Sequence, residues 1–152
     1  MKNIAVIGTG VIGTGWILRF LANDIKVKAF DKNSKQLNFL KEEITRTNLI
    51  IKKLYNTKIN FKNLEIVDSI EEAVKNADLI QENVPERLTL KKDVIKNISK
   101  YSPSNSIIAS SSSGLLPSDL QSKCINPKRL IIAHPFNPVS VSYTHLRAHE
   151  TS

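Results

Sequence analysis

A histidine and a run of serines are the residues whose chemistry is most directly suggested by this sequence. His134 follows the apolar segment 130–133, and an imidazole at such a strand end suits proton transfer near neutral pH. Pro135 and Pro138 restrict its loop. The hydroxyls of segment 110–113 suit contact with a substrate oxygen; alternatively, the serines form a flexible linker or cap the next helix. No Gly-x-Ser-x-Gly pattern surrounds them, which disfavours a serine hydrolase.

A glycine-rich turn, Gly8-Thr9-Gly10-Val11-Ile12-Gly13, separates an apolar strand from an apolar helix. In such a turn Gly8 permits the tight bend, Gly10 permits close approach of a pyrophosphate, and Gly13 permits close packing. The free N–H groups at a helix start favour an anion. Asp31 closes the second predicted strand, near the spacing of about 20 residues at which a carboxylate reaches a ribose hydroxyl. The pattern predicts dinucleotide binding, with a glycine turn in an unrelated α/β protein as the alternative.

Charged residues follow the predicted strand 78–81, namely Glu82, Glu86, Arg87 and Lys91. They suit hydrogen bonding to a second ribose, or else compensation of a helix N-terminus. Three histidines and one cysteine without ligand spacing predict no metal site.

The strands and helices that position these residues alternate along the chain, which predicts an α/β fold with a doubly wound parallel sheet. The predicted strands are 3–7, 26–30, 64–67, 78–81, 106–110 and 129–133; the predicted helices are 12–22, 34–55, 69–74, 88–99 and 118–121. Asp31 or Asn33 and the capping box at Ser69 begin two of these helices. Segments 8–13, 82–87, 110–114 and 134–139 then meet at the carboxyl ends of the strands, where such sheets bind ligands.

The amino-acid composition disfavours several classes of protein, including nucleic-acid-binding and membrane proteins. The chain has 152 residues, a net charge of +8, 41% hydrophobic and 6% aromatic residues, and one cysteine, Cys124. Scattered lysines with few aromatics disfavour a nucleic-acid surface. A single cysteine indicates a reducing compartment, and the lack of a signal segment or apolar span predicts a cytoplasmic protein without membrane contact.

Four ordered motifs resemble the NAD-binding domain of the 3-hydroxyacyl-CoA dehydrogenase family, from Met1 to about Val141. They are the glycine turn and the segments 81–87 (QENVPER), 110–118 (SSSSGLLPS) and 134–139 (HPFNPV). The last two look most like the carnitine 3-dehydrogenase branch of that family. The resemblance implies a Rossmann-type fold, NAD as cofactor, and either carnitine or a 3-hydroxyacyl-CoA as substrate.

The resemblance also implies a role for each matching residue. Gly8, Gly10 and Gly13, with Val11 and Ile12, match the pyrophosphate loop. Asp31 matches the acid that favours NAD over NADP. The other matches are Glu86 and Lys91 beside the nicotinamide ribose, Ser113 at the substrate oxygen, His134 as general base, and Asn137 near the cofactor.

The chain departs from the family after Val141. The family's Leu-Val-Glu run is missing, and His145 and His149 lie in a segment that resembles nothing in the family. We therefore expect an NAD-binding domain over 1–142 and a non-native or disordered tail over 143–152, without the helical C-terminal domain through which family members form homodimers. Such a chain should bind cofactor and catalyse poorly; a non-catalytic dinucleotide sensor or structural protein is the alternative.

Overall fold

The computed structural model describes residues 3–55, 60–136 and 139. Within these ranges six strands form one sheet: β1 (Asn3–Ile7), β2 (Lys26–Phe30), β3 (Leu64–Ile66), β4 (Leu79–Glu82), β5 (Ile107–Ser110) and β6 (Leu130–Ile132). Five α-helices of the described residues connect them: α1 (Val11–Ala22), α2 (Ser34–Tyr55), α3 (Ile70–Val74), α4 (Leu88–Tyr101) and α5 (Pro117–Gln121). Single turns of 3-10 helix lie at Phe61–Asn63 and Pro127–Arg129.

The sheet is parallel throughout, in the order β3-β2-β1-β4-β5-β6. The chain therefore winds outward from β1 in both directions, which confirms the predicted doubly wound Rossmann-type sheet. All six carboxyl ends lie at one edge, and the loops that follow β1, β4, β5 and β6 meet there.

One strand boundary differs from the sequence prediction in a way that matters for the site. Glu82 was expected in the loop after the strand 78–81, but it is the last residue of β4. It is held there because it lies between Ile7 of β1 and Ser110 of β5 in the ladder. A charged side chain is thus placed inside the sheet, at its carboxyl edge.

Alternate residues of the strands face two apolar layers, as the two-residue period of a strand requires. In β1, Ile4 and Val6 pack toward α1 and α2, while Ala5 and Ile7 pack toward α3, α4 and α5. Both layers are buried and supply most of the hydrophobic stabilisation.

Several predictions fall outside the described residues. The tail 143–152 with its two histidines, the end of the domain predicted at residue 142, and Asn137 all lie there. No helix in the described ranges is long and apolar enough to cross a bilayer.

Candidate functional site

The three glycines of the turn have different surroundings. Gly8 has φ +92°, and a Cβ there would lie 2.8 Å from the backbone carbon of Asn83. A Cβ at Gly13 would overlap the carbonyl oxygen of Gly8, so close packing excludes a side chain at both positions. At Gly10, by contrast, the nearest atom to such a Cβ is Gln36 Oε1 at 3.8 Å. Gly10 therefore borders open space.

Helix α1 begins at this open space. Gly10 is its N-cap and provides no side chain to satisfy the first amides of the helix. The N–H groups of Val11, Ile12 and Gly13 belong to the first turn, in which no intrahelical acceptor is available. The start of α1 thus provides donors and the positive end of a helix dipole beside an open face.

Asp31 faces this turn from the end of β2. Its Oδ2 accepts hydrogen bonds from the backbone N–H of Thr9 at 2.7 Å and from the Thr9 hydroxyl at 3.2 Å. Its Oδ1 accepts from the N–H of Asn33 at 2.8 Å. Asn33 in turn accepts from the N–H of Lys35, so Asn33 rather than Asp31 caps α2. The sequence left that choice open.

A cleft of about 800 Å³ lies between the glycine turn and the loop after β4. Its lining includes Gly8, Gly10 and Asp31 together with Asn83 and Arg87. The volume is within the usual range for small-molecule and cofactor sites. Two glycines that the sequence assigned to a pyrophosphate loop, Gly8 and Gly10, therefore share one cleft with Asp31, the acid assigned to the adenosine ribose.

Two glutamates, Glu82 and Glu86, hold the serine loop, residues 110–114, through hydrogen bonds. Glu82 Oε2 accepts from the Ser110 hydroxyl at 2.5 Å, and the Glu82 carbonyl accepts from the Ser111 hydroxyl at 3.0 Å. Glu86 Oε1 accepts from the Ser112 hydroxyl at 2.5 Å and from the N–H groups of residues 113 and 114 at 3.0 and 2.9 Å. Three hydroxyls of the run are thus occupied in holding the loop, whereas the side chain of Ser113 is exposed.

Lys91 joins the two carboxylates from helix α4. Its ammonium lies 2.9 Å from Glu82 Oε1 and 3.6 Å from Glu86 Oε2, and the side chain is 1% exposed. The structure therefore brings Glu86 and Lys91 together, as the sequence predicted, but it directs Lys91 into the protein. A direct contact between Lys91 and a cofactor stays a prediction.

Glu86 is the more accessible carboxylate of this pair, with a side chain 38% exposed. Burial by itself raises the pKa of Glu86, but the hydrogen bonds from Ser112, Gly114 and Ser113 and the charge of Lys91 outweigh it. The pKa of Glu86 therefore lies below its ordinary value. An ionised carboxylate at this position is available to accept from a ligand hydroxyl.

His134 is exposed just after β6, and its ring is held from one side. Nδ1 lies 3.0 Å from the carbonyl oxygen of Ser111. Because a carbonyl only accepts, this hydrogen bond requires a proton on Nδ1 and leaves Nε2 of the neutral ring as an acceptor. Ala133, the preceding residue, donates its N–H to the Ser110 carbonyl at 2.8 Å. The histidine and the serine loop are therefore directly connected.

Two residues contribute here without a role predicted from the sequence. One is Thr9, whose hydroxyl donates to Asp31. Gly15, one turn into α1, admits the close approach of Val139, whose Cγ2 would lie 2.7 Å from a Cβ at that position. A fourth glycine two residues after the turn was the available signal. Among the described residues there is no group of three or more potential metal ligands.

A family model matches this site and its framework. The model for the 3-hydroxyacyl-CoA dehydrogenase NAD-binding domain matches residues 3–144. The chain belongs to this family. The resemblance noted in the sequence is thereby confirmed for the domain, and NAD is its cofactor.

The relatives include L-carnitine dehydrogenase of Oceanobacillus iheyensis, 51% identical over 91% of this chain and 46% of that protein. L-carnitine dehydrogenase of Bacillus cereus is 45% identical over 91% of this chain and 43% of that protein. Among solved structures, a diketoreductase is 30% identical, with a TM-score of 0.85 over 93% of this chain and 52% of that chain. The chain thus spans about half the length of the curated relatives it matches.

The residues present fit NAD. Gly10 leaves space at the start of α1, whereas Gly8 and Gly13 are enclosed, and the Asp31 carboxylate borders the same cleft. This is the distribution of space, donors and acceptor that a pyrophosphate with an adjoining ribose requires.

Proposed function

We propose that this chain supplies the cofactor domain and the general base of an NAD-dependent dehydrogenase that oxidises the 3-hydroxyl group of L-carnitine. The observation that carries the proposal is the hydrogen bond from His134 Nδ1 to the Ser111 carbonyl, because it leaves Nε2 free to accept a proton. The names of the curated relatives favour carnitine as the substrate.

The cofactor would be held in the cleft by the predicted residues. The amides of Gly10, Val11, Ile12 and Gly13 would hold the pyrophosphate at the start of α1, and Asp31 would accept from the adenosine ribose. Glu86, with Lys91 behind it, and Asn137 would hold the nicotinamide half. When bound, NAD supplies the hydride acceptor of the oxidation.

Two residues of this chain, His134 and Ser113, would act on the hydroxyl group of the substrate. As the secondary alcohol becomes a ketone, the proton of its hydroxyl moves to Nε2 of His134. Ser113, with its exposed side chain, would donate a hydrogen bond to the same substrate oxygen and keep it in reach of the imidazole. The Ser111 carbonyl stabilises the imidazolium that forms, because it continues to accept from Nδ1.

The test is turnover by the complete gene product with L-carnitine, followed by NADH absorbance. His134→Ala should lower kcat by a factor of about 10² to 10⁴, the usual contribution of a general base, and leave the NAD dissociation constant nearly unchanged. Loss of NAD binding in this variant would make His134 a structural residue and would contradict the proposal.

Substrate choice is tested in the same assay. We expect the complete gene product to turn over L-carnitine. Activity confined to 3-hydroxybutyryl-CoA would show instead that the substrate is a 3-hydroxyacyl-CoA. NAD binding without turnover of either compound by the complete gene product would favour a non-catalytic dinucleotide-binding protein.

We further propose a cytoplasmic protein that acts on a small molecule, without nucleic-acid or membrane partners, and that forms a homodimer in its complete form. The single cysteine and the scattered lysines support the first part. Sedimentation of the complete gene product tests the dimer, and salt-dependent DNA binding would contradict the absence of a nucleic-acid partner.

A further inference from the structure

We propose that Glu86 is a positioning residue for Ser113, because its carboxylate fixes the backbone on both sides of that serine. The inference deepens the proposed function and rests on it for one point, the hydrogen bond from the Ser113 hydroxyl to the substrate oxygen. The Ser113 side chain is exposed, so its direction depends on the backbone that carries it.

The backbone around Ser113 is tied to a single oxygen atom. Glu86 Oε1 accepts from the N–H of Ser113 at 3.0 Å and from the N–H of Gly114 at 2.9 Å. These N–H groups belong to the two peptide planes that flank the Ser113 Cα, and each plane is rigid. Because both planes are oriented toward one acceptor, φ and ψ of Ser113 are confined, and so is the direction of its Cα–Cβ bond.

The Glu86 carboxylate is itself held in place by further contacts. Its Oε1 also accepts from the hydroxyl of Ser112, which is 1% exposed, at 2.5 Å. Its Oε2 lies 3.6 Å from the buried ammonium of Lys91. Although burial raises the pKa of Glu86, the hydrogen bonds from the loop and the charge of Lys91 lower it overall. The acceptor of the loop amides therefore stays ionised.

A role at the start of helix α4 does not account for Glu86. Arg87 is the N-cap of α4, and a carboxylate that served only this helix would face its first amides. The Glu86 side chain instead reaches the loop after β5, 26 to 28 residues further along the chain. This reach is possible because β4 and β5 are neighbours in the sheet. The contacts of Glu86 thus serve the serine loop.

The consequence is that cofactor and substrate share one anchoring side chain. Glu86 remains partly exposed, and a carboxylate has about four lone-pair sites, so it can accept from a ribose hydroxyl while it holds the loop. Ser113 is then directed at the substrate oxygen from a backbone that is fixed relative to the cofactor. Since a misplacement of about 1 Å can cost about 10² in rate, Glu86 affects the reaction without touching the substrate.

Amide hydrogen exchange of this chain tests the anchor without any substrate. Glu86→Met removes the acceptor, so the N–H groups of Ser113 and Gly114 should exchange about tenfold to hundredfold faster, the effect of losing a hydrogen bond to a charged group. The N–H of Ser111 is the internal reference, because it donates to a backbone carbonyl of β4. Unchanged exchange at Ser113 and Gly114, or an equal acceleration at Ser111, would overturn the proposal.

Two further variants complete the exchange measurement. Glu42→Met, at an exposed position of α2, is the control and should leave all three amides unchanged; an acceleration equal to that in Glu86→Met would overturn the proposal. Where Glu86→Met does not fold, Glu86→Gln keeps the shape and loses the charge. It should accelerate exchange at residues 113 and 114 about threefold or more, because hydrogen bonds to neutral acceptors are weaker. Unchanged rates in this variant would also overturn the proposal.

A double-mutant cycle in the complete gene product tests whether Glu86 acts through Ser113. The measured quantity is kcat/KM for the oxidised substrate at saturating NAD, so that weaker cofactor binding does not enter. Glu86→Met should lower it about tenfold in the wild-type background and less than about twofold in Ser113→Ala, where the positioned hydroxyl is already gone. A merely structural role of Glu86 would give the same factor in both backgrounds, and that result would overturn the proposal.

The proposed function fails separately, if the complete gene product does not oxidise L-carnitine or if His134→Ala leaves turnover intact. Where the substrate is a 3-hydroxyacyl-CoA, the cycle is measured with that compound. In each case the exchange rates of this chain still decide whether Glu86 holds the backbone around Ser113.

Discussion

Thr9 donates both its backbone N–H and its hydroxyl to the same oxygen of Asp31, at 2.7 and 3.2 Å. The acid at the end of β2 is therefore bonded to the glycine turn after β1. With the N–H of Asn33 on the other oxygen, three donors are already in place. A carboxylate has about four lone-pair sites, so capacity remains for a ribose hydroxyl.

Asp31→Asn tests this arrangement. The amide oxygen still accepts from Thr9, but the charge is lost, and hydrogen bonds to charged groups contribute about 1.5–3 kcal/mol. NAD affinity should fall about tenfold or more, whereas NADP should lose less, since the charge that repels its phosphate is gone. Calorimetric titration with both cofactors measures this. Asp93→Asn, at an exposed position of α4, is the control, and equal weakening of NAD and NADP would contradict the ribose role.

Breaking the buried ion pair between Lys91 and Glu82 should strongly destabilise the fold. Lys91→Met leaves the Glu82 carboxylate buried without a cation, which should lower the free energy of unfolding by about 3–5 kcal/mol. The double variant with Glu82→Gln should recover much of that loss.

The chain contains a matched surface pair for comparison. Lys28 and Glu65 lie 3.3 Å apart with side chains 37% and 58% exposed, so Lys28→Met should change stability by about 1 kcal/mol or less. Urea denaturation measures all three variants. Similar losses in Lys28→Met and Lys91→Met would show that burial does not distinguish these pairs.

Alanine substitutions at Gly13 and Gly10 should affect different properties, stability in the first case and NAD affinity in the second. Gly13→Ala places a methyl group on the Gly8 carbonyl and should lower stability by about 1–3 kcal/mol. Gly10→Ala meets no close atom, so stability should change by less than about 0.5 kcal/mol, yet NAD affinity should fall because the methyl group occupies the phosphate side. Thermal unfolding and NAD titration separate the two effects. Unimpaired NAD binding by Gly10→Ala would refute its assignment to the phosphates.

Ser112 and Ser113 should differ in the same manner. Ser112→Ala removes a buried hydroxyl that donates to Glu86 and should cost about 1–3 kcal/mol of stability. Ser113→Ala should leave stability within about 0.5 kcal/mol and instead lower turnover of the complete gene product, because its side chain is exposed. Denaturation and kinetics of both variants check this, and full turnover by Ser113→Ala would remove it from the site.

The lowered pKa of Glu86 predicts how the stability of the folded protein changes with pH. Although burial raises the pKa of Glu86, the bonds from the serine loop and the charge of Lys91 lower it overall, so the folded protein favours the ionised form. The stability gained is present above the ordinary glutamate pKa of about 4.3 and is lost as pH falls through the lower folded value. The difference in unfolding free energy between wild type and Glu86→Gln should therefore be constant from about pH 7 to 5 and shrink below about pH 4.

Urea denaturation at several pH values measures that difference. Glu42→Gln, at an exposed position of α2, provides the reference. A difference that grows on acidification would mean that the neutral form of Glu86 is the one the fold prefers.

The order of strands and helices was predictable because it depends on local patterns. The apolar run 3–7 followed by three spaced glycines marks a strand, a turn and a helix, and the cap at Ser69 forms as its spacing indicates. Predicted boundaries differ from the observed ones mainly where the ladder decides, as at Glu82, which sequence alone places in a loop.

The division of roles among the serines was not predictable, because it depends on which side chains lie opposite them in space. Glu82 and Ser110 are 28 residues apart in sequence and meet only because β4 and β5 are neighbours. Nothing local distinguishes Ser113 from the three residues before it. Similarly, the sequence places Lys91 near a ribose or at a helix start, and only the packing of α4 against β4 shows that it pairs with a buried carboxylate.

The occupied hydroxyls of the serine loop also bear on protein engineering. A designer who regards four adjacent identical residues as interchangeable would mutate them as a block and lose foldability and turnover together. Since the side-chain contacts that hold the loop end at Ser112, and Ser113 contributes its backbone N–H, the side chain at position 113 can be varied alone to retune substrate preference while the surrounding architecture is conserved.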